Sequence, residues 1–183
     1  MGTQLAVELA QDPFLRALRV IRERARPRRA IARTTAEKFS VRGYVELFDE
    51  MTATGTVHGR SLNSEIVLAI LGRLSGLVRE KQAIGALEKA VGQALTEAAK
   101  ISAPSFKKED CRTSIDKVVR LPEGVRDEIK AAIASSPKPV SMNHWIVDAV
   151  IEWINIQHQH YSLLSALTEL SESTPLTVAG GRP

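Results

Sequence analysis

The sequence has a single cysteine, few aromatic residues and no long apolar run. Cys111 is the only cysteine among 183 residues, which excludes an internal disulfide or a cysteine-based zinc site and is typical of a reducing cytoplasm. No apolar run approaches the roughly 20 residues that a membrane span requires, and the first residues lack the features of a secretory signal. Aromatic residues make up 4% of the chain, so we expect a cytoplasmic protein of aliphatic helices that makes no membrane contact.

Motifs of catalysis and nucleotide binding are also missing. There is no glycine-rich phosphate loop and no nucleophile elbow. His158 and His160 are two residues apart, which places them on different sides of a helix, so we expect no metal site there. The sequence therefore predicts neither an enzyme nor a protein that needs a cofactor.

Positive charge is concentrated near the N-terminus. Residues 16–33 contain eight arginines and one acidic residue, a net charge of +7, which leaves −3 on the rest of the chain. Such a run binds polyanions, although a solvated helix face and linker would have the same composition. A helix is predicted from Asp12-Pro13 to Pro27, followed by a basic connector. The basic arm comprises Arg22, Arg24, Arg26, Arg28, Arg29 and Arg33.

A strand and two helices are predicted next. Residues 38–42 alternate between polar and apolar, which indicates a strand with one buried face. The helix that follows is predicted to end at Gly55, with a turn at Gly59, and Ser61 is predicted to cap the second helix. The expected buried residues of the two helices are Leu47, Phe48, Met51, Leu62, Ile66, Ala69, Ile70 and Leu74.

The same order returns after residue 112. We predict a strand over 115–121, a helix that opens at Pro122, and a last helix capped by Ser141 that reaches about Leu170. The expected buried residues are Val125, Ile129, Ile133, Met142, Ile146, Ala149, Val150, Trp153 and Ile154. Between the two segments, 80–101 is predicted to be one amphipathic helix and 102–112 a linker. The apolar stripe of that helix would be Ile84, Leu87, Val91, Leu95, Ala98 and Ile101.

The two segments come into register when Arg42 is aligned with Arg120. Equivalent positions then carry similar residues, and two additional residues lengthen the turn between the helices of the second segment. The matched pairs are Val41 and Val119, Leu47 and Val125, Met51 and Ile129, Ser61 and Ser141, Asn63 and Asn143, Ile66 and Ile146, and Ala69 and Ala149. The chain therefore contains a tandem repeat whose second helices both start with Ser-x-Asn-x-x-Ile.

The physical requirements of one repeat explain why there are two. A lone strand is not stable in water, whereas two copies can pair antiparallel while four helices cover one face of the pair. The prediction is a mostly α-helical fold with a short two-stranded antiparallel ribbon, formed by two repeats as an intramolecular pseudo-dimer with extra helices. The predicted divisions are the N-terminal helix and arm (1–36), repeat 1 (37–79), the connecting helix and linker (80–112), repeat 2 (113–157), and a helix extension with a flexible tail (158–183).

Repeat 1 resembles a known family of DNA-binding proteins. Residues 38–66 are similar, without a gap, to the phage Arc-repressor branch of the ribbon-helix-helix (MetJ/Arc) superfamily. The most specific part of the match is the run Gly59-Arg60-Ser61-Leu62-Asn63-Ser64-Glu65-Ile66. Repeat 2 resembles the broader ribbon-helix-helix pattern through Val119-Arg120-Leu121-Pro122. The resemblance covers about 80 of the 183 residues and leaves out the arm, the 80–101 helix and the tail.

The resemblance implies which residues contact DNA. In that family, alternate side chains of the paired strands contact bases in the major groove. The implied base-contacting residues are Lys38, Ser40 and Arg42 in repeat 1 and Asp116, Val118 and Arg120 in repeat 2. Because Asp116 repels phosphate, we expect repeat 1 to be the stronger half. The starts of the second helices are expected to bind phosphates, and they comprise Ser61, Leu62, Asn63, Ser141, Met142 and Asn143.

Two positions depart from the family pattern. The Arc branch has a buried Arg–Glu–Arg triad that apolar residues can replace without loss of the fold. Arg60 and Glu65 match two of its members, but the third position is Ala69, and all three positions of repeat 2 are apolar: Val140, Trp145 and Ala149. Lys117 lies where the buried strand face requires an apolar residue, so we expect either a snorkelling side chain or a local slip of the strand register.

These features predict a sequence-specific DNA-binding regulator, such as a phage or bacterial repressor, whose partner is double-stranded DNA. Two alternatives stay open: a DNA-binding accessory protein of plasmid transfer, and a protein-interaction module such as an antitoxin or a phage anti-host factor. In the last case the 80–101 helix and the residues after 155 would hold a protein partner. Self-association of the pseudo-dimer on DNA is also left open.

Overall fold

A two-stranded antiparallel sheet connects the two halves of the described chain, with the helices on one of its faces. The structure, a computed structural model, describes residues 36–173. Strands β1 (Glu37–Tyr44) and β2 (Ser114–Leu121) pair without interruption from Glu37 opposite Leu121 to Tyr44 opposite Ser114. The predicted arginine arm with its helix, and the tail from residue 174, lie outside the described residues.

Six helices accompany the two strands within residues 36–173, so the predicted mostly α-helical fold with a short antiparallel ribbon is confirmed. A 3₁₀ turn, Lys108–Asp110, interrupts the connector before β2. The helices are α1 (Val45–Val57), α2 (Leu62–Leu74), α3 (Val78–Val91), α4 (Gln93–Ser102), α5 (Val125–Ala134) and α6 (Met142–Ser173).

The main core lies between one face of the sheet and helices α1, α2, α5 and the first half of α6. Val41, Val119 and Leu121 of the strands are buried against these helices. Most of the helix positions that the apolar periodicity selected are buried there, while Leu62, Leu74, Ile133 and Met142 are half-buried at its margin. The buried positions are Leu47, Phe48, Met51, Ile66, Ala69, Ile70, Val125, Ile129, Ile146, Ala149, Val150, Trp153 and Ile154.

Helix α6 connects this core to a second, smaller one. It has 32 residues, a length of about 48 Å at the α-helical rise per residue. Its second half carries Leu163, which packs with Ile84 and Val91 of α3 and Ala99 of α4. The appended helices therefore bury Ile84, Val91 and Ala99 against α6.

The prediction of one helix over 80–101 is wrong, because the chain breaks at Gly92. This residue has φ +83° and separates α3 from α4, a conformation that favours glycine. The break changes the helical phase, so Thr96 and Ala99 are buried where Ala98 and Ile101 were expected. Ile101 is 85% exposed.

The structure also bears on three smaller predictions, of which the start of α5 is wrong. Helix α5 begins at Val125 and not at Pro122, since Gly124, at φ +82°, precedes its first turn. Helix α6 continues beyond Leu170 to Ser173. The strand register does not slip at Lys117, which pairs with Val41 in an unbroken ladder and is half-buried on the helix-facing side.

Gly55 lies inside α1 and does not end it. After the turn at Gly59, the Arg60 N–H donates to the Gly55 carbonyl at 2.7 Å. A Cβ atom at position 55 would lie 2.9 Å from the Arg60 carbonyl oxygen and 3.1 Å from Cγ of Glu65. The returning backbone therefore requires glycine at this helical position.

We expect Gly55→Ala and Gly85→Ala to change stability in opposite directions. Alanine favours both helices by about 1 kcal/mol, and a Cβ at Gly85 meets nothing within 4 Å. At Gly55 the contact with backbone outweighs this gain, so the free energy of unfolding should fall by about 1 to 2 kcal/mol. Urea denaturation measures both values, and a stabilised Gly55→Ala would contradict the close approach.

Candidate nucleic-acid interface

The six side chains predicted to contact bases lie together on the sheet face that the helices leave uncovered. Successive residues of a strand point to opposite faces, and every second residue of β1 and β2 is exposed. Val118, in the middle of this surface, is 63% exposed. We call this surface the ribbon face, and it consists of Lys38, Ser40, Arg42, Asp116, Val118 and Arg120.

Strand pairing distributes charge along the ribbon face. Lys38 lies directly opposite Arg120, which places two positive charges at one end, and neither has an ion-pair partner among the described residues. At the other end Arg42 lies opposite Asp116, with 3.6 Å between Nε and Oδ1. The asymmetry therefore runs along the ribbon, from a doubly positive end to a neutral end. The expectation that repeat 1 is the stronger half in DNA binding stays a prediction.

Ser40 and Val118 form the central pair between these two ends. Ser40 offers a hydroxyl that can donate or accept, while Val118 offers only a methyl surface. A base contact at this position would therefore combine one hydrogen bond with one apolar contact, of the kind that a thymine methyl provides.

Asn63 and Asn143 hold the two arginines of the ribbon face through their backbones. Asn63 Oδ1 accepts from the Arg120 N–H at 2.7 Å, and its Nδ2 donates to the Arg120 carbonyl at 3.4 Å. Asn143 makes the equivalent pair with Arg42, at 2.7 and 2.9 Å. Each asparagine thus joins the start of a helix to the strand of the other repeat, a role that sequence reasoning missed.

These contacts restrict how the helix starts could hold a phosphate. The amides of Asn63 and Asn143 are already engaged with the strands, whereas the first N–H groups of a helix have no partner within it. Ser61 and Ser141 cap their helices as predicted, since their Oγ atoms accept from Ser64 N–H at 3.3 Å and His144 N–H at 3.1 Å. Only the backbone N–H groups and the exposed hydroxyls are left for an anion.

A cavity of about 240 Å³ lies beside the start of α6, next to the neutral end of the ribbon face. Arg42, Lys108, Ser141 and His144 line it. Lys108 belongs to the connector before β2, and no sequence pattern distinguishes it from the neighbouring lysine. The imidazole of His144 lies 3.3 Å from the carboxylate of Asp148.

A buried carboxylate lies behind the start of α2. Glu65 is fully buried, with Oε1 3.1 Å from Arg60 Nη1 and 3.0 Å from His58 Nδ1, while Oε2 accepts from Trp153 Nε1 at 3.1 Å. His58 and Trp153 therefore join Arg60 in satisfying the two oxygens of the buried carboxylate.

The corresponding positions of repeat 2 contain no charge. Trp145 and Ala149 are buried and Val140 is half-buried, and the guanidinium of Arg73 lies 5.0 Å from the Trp145 ring centroid. The two repeats thus fill equivalent positions differently, one with a hydrogen-bonded carboxylate and the other with an aromatic ring.

Comparison with protein-family models, with curated proteins and with solved structures finds no match for this chain. Functional inference therefore depends on the sequence pattern and on the geometry of the ribbon face. Among the helices of residues 36–173, none is long and apolar enough to cross a membrane.

Proposed function

We propose that this chain is a sequence-specific DNA-binding regulator of the ribbon-helix-helix type, and that the ribbon face enters the major groove. A two-stranded ribbon fits that groove, and exposed arginine, lysine and serine side chains match the acceptors and donors on base edges. The single observation that carries the proposal is the exposure of all six ribbon-face residues on a sheet whose other face is packed against helices.

Internal symmetry supports a pseudo-dimer within one chain. The repeat alignment makes Ser40 equivalent to Val118, and these two residues are paired directly with each other. A two-fold axis through this pair would relate the two repeats. The matching hydrogen bonds from Asn63 to Arg120 and from Asn143 to Arg42 obey the same axis.

The appended helices offer less to a protein partner than the sequence suggests. Most of their apolar side chains, which an interaction module would present to a partner, pack with α6, and Val78 and Ile101 are the large apolar residues of these helices that stay exposed. DNA binding through the ribbon face is therefore the function that these contacts favour. A transcriptional regulator and an accessory protein at a transfer origin would both bind DNA through such a ribbon. Of the two, we propose a transcriptional regulator.

Competition binding on fragments of the source genome tests the proposal. We expect at least one fragment to bind more tightly than bulk DNA at both 50 and 200 mM salt, by roughly 10³-fold or more for a specific site. If no fragment outcompetes bulk DNA at either salt concentration, sequence-specific regulation is refuted.

We expect Asp116→Asn to strengthen non-specific DNA binding and to make it more dependent on salt. The change removes a negative charge from the ribbon face and releases Arg42, which lies 3.6 Å away, to contact a phosphate. One additional phosphate contact should steepen the plot of log affinity against log salt by about 1. Fluorescence anisotropy over a salt series on random duplex DNA measures this slope.

Asp127→Asn is the matched control for this change. Asp127 is also exposed and also pairs with a cation, Lys130, at 2.7 Å, but it lies on α5 outside the ribbon face. The hydrogen bond from Lys130 lowers the pKa of the Asp127 carboxyl, so the control removes a charged carboxylate. Equal slopes for the two variants would mean that only net charge matters.

A further inference from the structure

A cavity of about 290 Å³ lies between α3, α6 and the turn that joins α1 to α2. Leu68, Ile84 and the ring of Trp153 form an apolar part of its wall. This volume is close to the lower end of the range for small-molecule sites, roughly 300 to 1,000 Å³. The cavity is separate from the ribbon face, since the two share no residue.

An unpartnered amide faces this cavity. Gln157 is 8% exposed and lines the cavity, and its side chain has no hydrogen-bond partner among the described residues. Buried side-chain amides in proteins are nearly always hydrogen-bonded, to protein, water or ligand. The Gln157 amide therefore has its donor and acceptor capacity available to a group inside the cavity, either a water molecule or a polar ligand atom.

The polar part of the lining is mainly basic. Arg60, Arg79, His58 and His160 line the cavity together with a single carboxylate, Glu80. Arg79 has no ion-pair partner among the described residues. Arg60 gives one N–H to Glu65, at 3.1 Å, and its side chain is 45% exposed, so its remaining donors are free. Two arginines and an amide that line one cavity suit a carboxylate, which accepts several hydrogen bonds.

We infer that this cavity binds a small organic carboxylate. Arg60 and Arg79 neutralise its charge, Gln157 donates to one of its oxygens, and its apolar body packs on Trp153 and Ile84. The inference is independent of the proposed DNA-binding function, because each of its tests is performed without DNA.

Benzoate is a suitable probe because it combines a carboxylate with a compact apolar ring. In ¹H–¹⁵N spectra of the full chain, the indole N–H of Trp153 should shift saturably with benzoate. The indole N–H of Trp145, which does not line the cavity, should stay in place. Benzamide lacks the charge and inorganic phosphate lacks the apolar body, so both should bind at least about tenfold more weakly.

Two variants connect the signal to the cavity. Arg79→Ala and Gln157→Leu should each weaken benzoate binding by about tenfold, whereas Arg112→Ala, an exposed arginine outside the lining, should leave it unchanged. The inference is overturned if benzoate produces no saturable shift, if benzamide binds as tightly, or if Arg79→Ala binds benzoate like the wild type. The absence of a saturable shift would indicate a cavity that holds only water, and equally tight benzamide binding would indicate an apolar site that does not recognise a carboxylate. Arg79 is exposed, so its variant decides the matter even if Gln157→Leu does not fold.

Discussion

Arg120→Ala is expected to weaken binding to a specific DNA site by about 10- to 100-fold, the value of one bidentate contact to a guanine. The guanidinium of Arg120 is exposed at the doubly positive end of the ribbon face and has no ion-pair partner among the described residues. Both hydrogen bonds between Asn63 and position 120 use the backbone, so the alanine variant keeps them. The loss of affinity therefore reports the side chain alone.

The same substitution should not destabilise the free protein. Like charges directly opposite each other on a sheet are unfavourable, and Arg120 faces Lys38. We expect the melting temperature of Arg120→Ala to equal or exceed that of the wild type while its DNA affinity falls. A fall in both quantities would indicate a structural role and contradict base contact.

Arg42→Ala and Arg79→Ala complete this experiment. Arg42 is partly neutralised by Asp116, so its loss should cost less affinity than the loss of Arg120. Arg79 is exposed on α3 and outside the ribbon face, and its substitution should change DNA affinity by less than about twofold, as expected for a surface residue without a base contact. Gel-shift titrations of the three arginine variants on one selected fragment measure their DNA affinities, which should fall most for Arg120→Ala and least for Arg79→Ala.

The second large effect is a loss of stability, expected when Glu65 loses its charged partner Arg60. Arg60→Met should lower the free energy of unfolding by about 3 kcal/mol, because it takes a charged partner from a fully buried carboxylate. His58 and Trp153 would remain at 3.0 and 3.1 Å, which keeps the loss near the lower end of the range for broken buried ion pairs. Chemical denaturation monitored by circular dichroism measures the change.

The double variant Arg60→Met with Glu65→Leu distinguishes this explanation from a simple loss of packing. When both charges are removed, no buried carboxylate is left without its partner, so most of the lost stability should return. Lys130→Met is the control for a surface pair, since Lys130 and Asp127 lie 2.7 Å apart and their side chains are both more than half exposed. It should leave the free energy of unfolding nearly unchanged. If the double variant is less stable than Arg60→Met, the buried charge is not the cause.

Local patterns in the sequence were sufficient to predict the two strands and most of the buried core residues. Alternation around Ser40 identified the exposed face, and helical spacing identified Leu47, Ile66 and Ile146 as buried, because these periodicities depend only on neighbouring residues. The helix break at Gly92 was not predicted, because apolar residues continue at helical spacing on both sides of it. The positive φ of Gly92 depends on how α3 and α4 pack on α6, and a local sequence pattern carries no information about that packing.

The residues of the candidate site were predicted from the sequence, but which of them lie opposite one another was not. The opposition of Lys38 to Arg120, and of Arg42 to Asp116, follows from the strand register. Asn63 and Asn143 were expected near phosphates because they lie at helix starts, where that role is common. Their actual partners are 57 and 101 residues away in the sequence.

The buried network around Glu65 was beyond sequence reasoning for a similar reason. His58 is seven residues from Glu65, across a turn, and Trp153 is 88 residues away on α6. Trp153 was correctly predicted to be buried, but a stripe of apolar positions does not indicate that one of them donates a hydrogen bond to a carboxylate.

The asparagine contacts also affect how the protein can aggregate. Exposed strand edges recruit further strands from other molecules, and proteins usually cover or interrupt them. Here Asn143 occupies the outward N–H and C=O of Arg42 on one edge, and Asn63 occupies those of Arg120 on the other. A third strand would have to displace an asparagine before it could pair beyond that point. The sheet is thereby kept at two strands, and neighbouring copies on one DNA molecule would have to meet through surfaces other than these edges.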